Sequence, residues 1–155
     1  LNVVADEIPS KISQLTQQIK DLKKEINSSD NNETSKLIDE LAEKKEKIND
    51  VTCIIQETNN IDVKEIRSIA EQLKNKIKGI VALSSTSENK VTIVVSIDKN
   101  LTNKLSSQKI INDLGPIIGG GGGGKPDMAQ AGGSNLKGVN EAMKLVRSLI
   151  KDELK

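Results

Sequence analysis

The sequence has no histidine and no aromatic residue, and Cys53 is its single cysteine among 155 residues. Without histidine there is no imidazole to serve as a general base, a triad member or a metal ligand. One cysteine forms neither an internal disulfide nor a thiolate zinc site. Without aromatic rings the chain cannot stack bases as RRM and OB domains do. Most catalytic repertoires are therefore excluded, and we interpret Cys53 as a buried small hydrophobe.

An excess of charge of one sign is also missing, because 23 basic and 22 acidic residues leave a net charge of +1. The distribution is nevertheless uneven. Residues 1–50 carry 8 basic and 11 acidic side chains, whereas residues 99–151 carry 8 basic and 3 acidic ones. No apolar run approaches the length of a membrane span, and an unpaired cysteine is typical of a reducing compartment. We therefore expect a cytoplasmic protein without a membrane partner. Since the chain starts at Leu1, we interpret it as a fragment of a longer protein.

Residues 1–50 are predicted to form a helical hairpin with coiled-coil spacing. From Val4 to Ile26 the apolar residues recur at steps of three and four, which is typical of a long amphipathic helix. The polar segment 28–34 follows, and a second, weaker amphipathic pattern continues to Ile48. Two helices joined by a short polar loop pack as an antiparallel hairpin. The apolar seam also permits a homodimer, although we favour packing within the hairpin.

Residues 51–155 are predicted to form a globular α/β (α+β) domain. Runs of β-branched residues predict strands, and apolar residues at helical spacing predict helices. A strand–helix–strand beginning predicts a small mixed sheet with at least one parallel pair, covered by helices. The Gly115-Pro116 pair is expected to interrupt a helix. The predicted strands are 51–56, 80–83 and 90–97, and the predicted helices are one capped by Asp62 and stopped by Gly79, then 101–118 and 138–154.

The segment 119–133, which reads GGGGGGKPDMAQAGG, is the most informative part of the sequence. Six consecutive glycines do not support a helix, because each costs about 1 kcal/mol relative to alanine. We predict a glycine-rich loop before the last helix, in which consecutive N–H groups form an anion-binding nest beside Lys125. A flexible linker is the alternative, but KPDMAQAGG is not linker composition. A Walker A loop requires Ser or Thr after the lysine, where this chain has Pro126, so we reject that interpretation.

This segment resembles the glycine motif of the DHH-associated domain family, in the form found at the C-terminus of alanyl-tRNA synthetases. That motif consists of a glycine pair, a variable residue, three glycines, a basic residue, proline, two further residues, Ala-Gln, one residue and a second glycine pair. The order of elements along essentially the whole chain is similar as well. Gly121 stands at the variable position and Met128 where Leu or Phe is usual. The matching residues are Gly119, Gly120, Gly122, Gly123, Gly124, Lys125, Pro126, Ala129, Gln130, Gly132 and Gly133.

The resemblance implies an accessory domain that holds the elbow of tRNA(Ala), where the D and T loops meet. Aminoacylation and editing would occur on other domains of the ligase, which would use ATP, magnesium and zinc. This chain itself would contain no catalytic residue, no metal and no cofactor. Without aromatic rings, we expect shape recognition of a folded RNA rather than single-strand recognition. The candidate RNA contacts are Gly122, Gly123, Gly124, Lys125 and Gln130, extended along the last helix by Lys137, Lys144 and Arg147.

Two alternatives remain open beside RNA binding. The chain could be a dimerisation module of the same enzyme, in which the helices pair and the glycine motif only completes the fold. It could also be a remnant of a DHH-type nuclease. The second alternative is disfavoured, because the histidine that commonly follows the glycines in those enzymes and their catalytic metal motif are absent from the sequence.

Overall fold

The computed structural model describes residues 16–18 and 33–154. The chain divides into two compact units, Leu1–Leu37 and Ile38–Lys155. Within the first unit, residues 16–18 and 33–37 are helical. Most of the predicted first helix and of the loop after it lies outside the described residues, so the helical hairpin stays a prediction. Residues 33–43 are helical and are called α1. Positions 33 and 34, in the segment predicted to be loop, therefore belong to this helix.

The second unit is built on one six-stranded mixed sheet with the order β1-β2-β3-β4-β6-β5. Strands β2 and β3 are parallel, and every other neighbouring pair is antiparallel. The predicted α/β class, with a small mixed sheet covered by helices, is thereby confirmed. The strands are β1 (Glu46–Ile48), β2 (Val51–Asn59), β3 (Ile80–Ser87), β4 (Lys90–Ile97), β5 (Gly121–Gly124) and β6 (Met128–Gly133).

Helices cover both faces of the sheet. Helix α2 (Val63–Ile77) packs on β3 and β4 from one side, and α3 (Ser107–Leu114) with α4 (Val139–Glu153) packs from the other. Side chains alternate across each strand, so each face has its own core. The α3/α4 core includes Ile93 and Ala131. The α2 side buries Ile54, Ile66, Ile69, Ala70, Leu73, Val81, Leu83 and Val94. In the described part of the chain, none of the helices is long and apolar enough to cross a membrane.

The second predicted helix ends earlier than expected, and this moves the division between the units. Helix α1 stops at residue 43, and Glu46–Ile48 is a strand rather than the end of a helix. This strand pairs with β2 across the turn between Ile48 and Val51. Asn49 and Asp50 have φ values of 49° and 70°, as a two-residue type I′ hairpin requires, and Ile48 pairs with Val51. The predicted boundary at residue 50 therefore cuts a β-hairpin that belongs to the second unit.

The elements around α2 agree with the sequence except at the end of that helix. Asp62 is the N-cap, and its carboxylate accepts a hydrogen bond from the Lys64 N–H at 3.3 Å. The left-handed residue after the helix is Lys78 (φ 50°), not the predicted Gly79. Gly79 is required for a different reason, because a Cβ there would overlap the carbonyl oxygen of Thr52.

The predicted helix 101–118 is shorter in the structure. It is divided into a 3-10 turn, Lys99–Leu101, and helix α3, which ends at Leu114. The expected stop at Gly115-Pro116 is therefore confirmed. The last helix is close to its prediction and buries Val139, Ala142, Met143, Val146 and Ile150.

Candidate functional site

The glycine segment forms a β-hairpin, not the predicted loop. Strand β5 pairs antiparallel with β6 from Gly121 opposite Gly132 to Gly124 opposite Ala129. The N–H groups of this strand therefore point alternately toward β6 and outward, and they do not converge as an anion-binding nest would need. Because β5 is the last strand of the sheet, its outward main-chain groups have no neighbouring strand among the described residues. The hairpin thus presents a bare peptide edge.

Alternate glycines of this hairpin are required by the fold. A Cβ on Gly122 would overlap the Gln130 carbonyl oxygen and lie 2.5 Å from the Cα of Ala131. Gly120 is equally tight, since its Cβ would lie 2.6 Å from the Cα of Gly133. Gly124 has φ 156°, and a Cβ there would lie 2.5 Å from the Cα of Ala129. These three positions exclude every other residue for reasons of packing or backbone conformation.

Gly121 and Gly123 are different, because a Cβ at either position would meet no atom within 4 Å. Neither has a positive φ. An alanine would therefore fit at both positions in the folded chain. The absence of a side chain there leaves open space in front of the strand rather than space needed inside the fold.

The turn of the hairpin is fixed by main-chain hydrogen bonds. The N–H of Lys125 donates to the Met128 carbonyl at 2.8 Å, and the Met128 N–H donates back at 3.2 Å. The carbonyl of Pro126 accepts from Ser107 N–H at 2.9 Å, and that of Asp127 accepts from Ile97 N–H at 2.8 Å. The tip is thereby held against both α3 and β4. Asp127 is a structural turn residue, whereas the Lys125 side chain is exposed.

An open groove lies between α2 and this hairpin, on the α2 side of the sheet. Helix α2 packs on β3 and β4, whereas β6 and β5 extend past it without a helix of the described chain above them on that side. Gln130 is opposite Val94 on one neighbour and Gly123 on the other, so its side chain shares the α2 face. We call this surface the glycine groove; it is lined by Val63, Thr92, Gly121, Gly122, Gly123, Gln130, Ala131 and Gly132.

Three basic side chains stand around the glycine groove. Lys90 lines its continuation toward the start of α2, Arg67 lies on α2 beside Gly123 and Gly124, and Lys125 lies at the hairpin tip. All three are exposed. Among the described residues none of their side chains forms an ion pair, whereas Lys76, Lys109 and Arg147 do. The groove thus has a basic rim with no acidic partner bound to it.

Arg67 and Lys90 were not among the residues proposed from the sequence. Arg67 is one of only two arginines, and it follows Val63 by four positions, so helical spacing places both at one edge of α2. That signal locates Arg67 at the margin of the buried face. It does not reveal that β5 and β6 lie opposite, because this depends on the sheet order β4-β6-β5.

The predicted extension along the last helix does not join the groove. Lys144 and Arg147 line a small recess with Ile55 and Met143, which belong to the α3/α4 core on the opposite face of the sheet. Arg147 is also engaged, since its Nη2 and Nε lie 2.8 and 3.2 Å from one carboxylate oxygen of Glu46. The structure therefore brings together Gly122, Gly123, Gly124, Lys125 and Gln130 and leaves Lys144 and Arg147 elsewhere. Lys137 is exposed on the 3-10 turn Leu136–Gly138 before α4.

Cys53 is fully buried in β2. Burial, with a smaller contribution from nearby Glu46, raises the pKa of its thiol from 9.0 to about 11.

No group of three or more Asp, Glu, His or Cys residues is arranged to hold a metal within residues 16–18 and 33–154. The pKa of exposed Lys109 is also raised, by its hydrogen bond to Glu153 at 2.7 Å.

We expect Cys53 to react slowly with iodoacetamide at pH 8 in the folded chain. Because the pKa of the thiol is raised from 9.0 to about 11, the thiolate fraction at pH 8 falls about 100-fold, and burial slows access further. The same raised pKa makes folding less favourable as pH rises from 9 toward 11, since the unfolded thiol ionises first. The alkylation rate, followed by mass spectrometry, should rise sharply in denaturant. Equal rates in the folded and unfolded chain would contradict this burial.

A six-stranded mixed sheet with helices on both faces and a glycine hairpin at its edge defines a small three-layer α/β domain. The chain belongs to the DHHA1 domain family, whose model matches residues 50–152. The chain is 32% identical over 148 residues to alanine–tRNA ligases of Staphylococcus aureus, strains JH9 and Newman. The match covers 95% of this chain but 17% of the length of those ligases.

A solved structure agrees with this relationship. The C-Ala domain of Aquifex aeolicus alanyl-tRNA synthetase superimposes with a TM-score of 0.66 at 28% identity. The superposition covers 70% of this chain and 98% of that domain. The resemblance seen in the glycine motif, to the C-terminal domain of alanyl-tRNA synthetases, is therefore confirmed in both sequence and fold.

Proposed function

We propose that this chain is the tRNA-binding C-terminal domain of an alanine–tRNA ligase and that it holds the elbow of tRNA(Ala) in the glycine groove. The observation that carries the proposal is the groove itself: a bare glycine strand bordered by Arg67, Lys90 and Lys125, none of them neutralised by a carboxylate among the described residues. Ligation and editing, with ATP, magnesium and zinc, would be performed by other parts of a cytoplasmic enzyme.

Binding would begin with the phosphates. Lysine and arginine side chains that neutralise RNA phosphates release counterions, so affinity falls with salt. Three such contacts correspond to a slope of roughly −2 to −3 in log K against log salt concentration. The acidic side chains Glu46 and Glu153 lie in ion pairs with Arg147 and Lys109 and do not neutralise the rim of the glycine groove.

The shape of the groove favours a folded RNA over a flexible strand. Proteins that bind single strands stack the bases on aromatic side chains, and this sequence has no aromatic residue. A glycine strand instead allows the RNA backbone or a base edge to approach the peptide closely, and its outward N–H and C=O groups offer hydrogen bonds. Recognition would therefore depend on the surface of the tRNA tertiary fold, as at the junction of the D and T loops.

We expect the 155-residue chain to bind tRNA(Ala) more tightly than an acceptor-stem minihelix that lacks the elbow. Fluorescence anisotropy at two salt concentrations would measure both affinities. Lys125→Ala should weaken tRNA binding about fivefold, as loss of one exposed charge contact does, and should reduce the salt slope.

Lys151→Ala is the matched control for this variant. It removes the same charge near the β1 edge. The side-chain amide of Asn49 donates to the Lys151 carbonyl at 2.7 Å there, and the variant keeps this bond because the carbonyl belongs to the main chain. Equal binding of tRNA and minihelix would reduce the interaction to nonspecific charge attraction. No binding to either, together with a mass that rises with concentration, would support a homodimerisation module instead.

A further inference from the structure

Two polar groups beside Gly123 have no hydrogen-bond or ion-pair partner among the residues that the structure describes. The side-chain oxygen Oε1 of Gln130 is buried, and no protein donor in the described part of the chain reaches it. The guanidinium of Arg67 forms no ion pair or hydrogen bond within residues 16–18 and 33–154. Both residues line one recess of about 200 Å³, with Gly123, Gly124, Met128 and Ala129. We call this the Gln130 recess.

An unpaired buried amide oxygen costs stability, so its presence beside an open surface points to a ligand that supplies a donor. The chemistry of that ligand is restricted by both groups. The amide oxygen Oε1 of Gln130 accepts hydrogen bonds only, so it does not pair with the phosphodiester of RNA, which carries no donor. A guanidinium donates only, and its planar fork matches a phosphate. One ligand that satisfies both groups has an N–H edge at one end and a phosphate at the other.

We propose that the Gln130 recess binds a single nucleotide of the RNA. The Gln130 oxygen accepts a hydrogen bond from an N–H of its base, and Arg67 binds its phosphate. Gly123 leaves the floor open, since no atom lies within 4 Å of where its Cβ would be. This subsite rests on the proposed function and deepens it, because it turns a phosphate-binding groove into one that also contacts a base.

Gln130→Met tests the subsite by separating binding from stability. Methionine keeps the volume of glutamine and removes the buried acceptor, so the melting temperature of the chain should stay unchanged or rise. Affinity for tRNA(Ala) should nevertheless fall about tenfold. A residue that only supports the fold would instead lower the melting temperature. Gln72→Met is the control, since Gln72 is exposed on α2 and its side-chain amide donates to the Ser68 hydroxyl on the same helix, at 3.2 Å.

Arg67 provides a second test that does not depend on a core substitution, since its side chain is exposed. Arg67→Ala should weaken tRNA(Ala) binding about tenfold, and Arg67→Lys should restore only part of it, because lysine keeps the charge without the fork. Wild-type affinity in both Gln130→Met and Arg67→Ala would overturn the subsite.

A mononucleotide probe distinguishes failure of the subsite from failure of elbow binding. Guanosine 5′-monophosphate and ribose 5-phosphate would be titrated into the labelled chain and followed by NMR. The nucleotide should shift the Gln130 side-chain amide, and ribose 5-phosphate should not. If tRNA is preferred over the minihelix but neither probe nor variant has an effect, the subsite is wrong and elbow binding stands. If the nucleotide shifts Gln130 while tRNA and minihelix bind equally, elbow binding is wrong and the subsite stands.

Discussion

Gly122→Ala is expected to destabilise the second unit by about 3 kcal/mol, the upper end of the usual cost of overpacking. The added Cβ would overlap the carbonyl oxygen of Gln130 and lie 2.5 Å from the Cα of Ala131. Both obstacles are main-chain atoms, so no rotation of a side chain relieves the overlap. The hairpin must separate instead, and this breaks the β5–β6 hydrogen bonds. Urea unfolding should show a lower midpoint, and thermal unfolding a decrease of roughly 10 °C.

Gly123→Ala is the matched control, one residue away in the same strand. A Cβ at Gly123 meets nothing within 4 Å, and the residue has no positive φ, so stability should stay within about 0.5 kcal/mol of the original. Both changes are Gly to Ala, so their effects on the unfolded chain are alike and cancel in the comparison. Equal destabilisation by the two variants would contradict the alternation of tight and open glycines along β5.

Periodicity was sufficient to predict the parts of the fold whose side chains are sorted by burial. Ile66, Ile69, Ala70 and Leu73 recur at helical spacing and all lie at 0% exposure, so α2 could be located from the sequence. Strand β4 was placed with its correct bounds, because its β-branched residues mark it clearly. The parallel β2–β3 pair followed from the helix between the two strands.

The elements that the sequence did not reveal are those without such a pattern. Strand β5 consists of four glycines, which have no side chains to alternate, and its existence depends on pairing with β6. Strand β1 has only three residues, too few for a pattern. The signal for its hairpin was the Asn49-Asp50 pair, because Asn and Asp tolerate the left-handed conformation. The helical pattern that continues to Ile48 predicted the end of a helix there instead.

The candidate site was predictable only in part, for a related reason. Gly122, Gly123, Gly124, Lys125 and Gln130 are close in sequence, so one motif was enough to propose them together. Arg67 is about 60 positions away and joins them only because β6 is inserted between β4 and β5. Lys144 and Arg147 show the converse, since closeness in sequence to the motif did not place them on the same face.

Gly123→Leu is expected to abolish most specific RNA binding, with a loss of about 100-fold in affinity for tRNA(Ala), equivalent to about 2.7 kcal/mol. The leucine would extend into the open space of the glycine groove, between Gln130 and Arg67, and would keep an RNA surface away from β5. Since nothing within 4 Å opposes the first carbon, the fold should accept it. Binding would be measured by anisotropy, and the melting temperature would be measured on the same sample.

A graded series makes this effect specific to the groove. Gly123→Ala should weaken binding less than Gly123→Leu, because the smaller side chain blocks less of the open space. Ser148→Leu on exposed α4 is the control for adding an apolar side chain to the surface, and it should leave affinity unchanged. If Gly123→Leu binds tRNA(Ala) as tightly as the original chain, the RNA does not approach the glycine strand. The open space before β5 would then have to be explained by something other than tRNA.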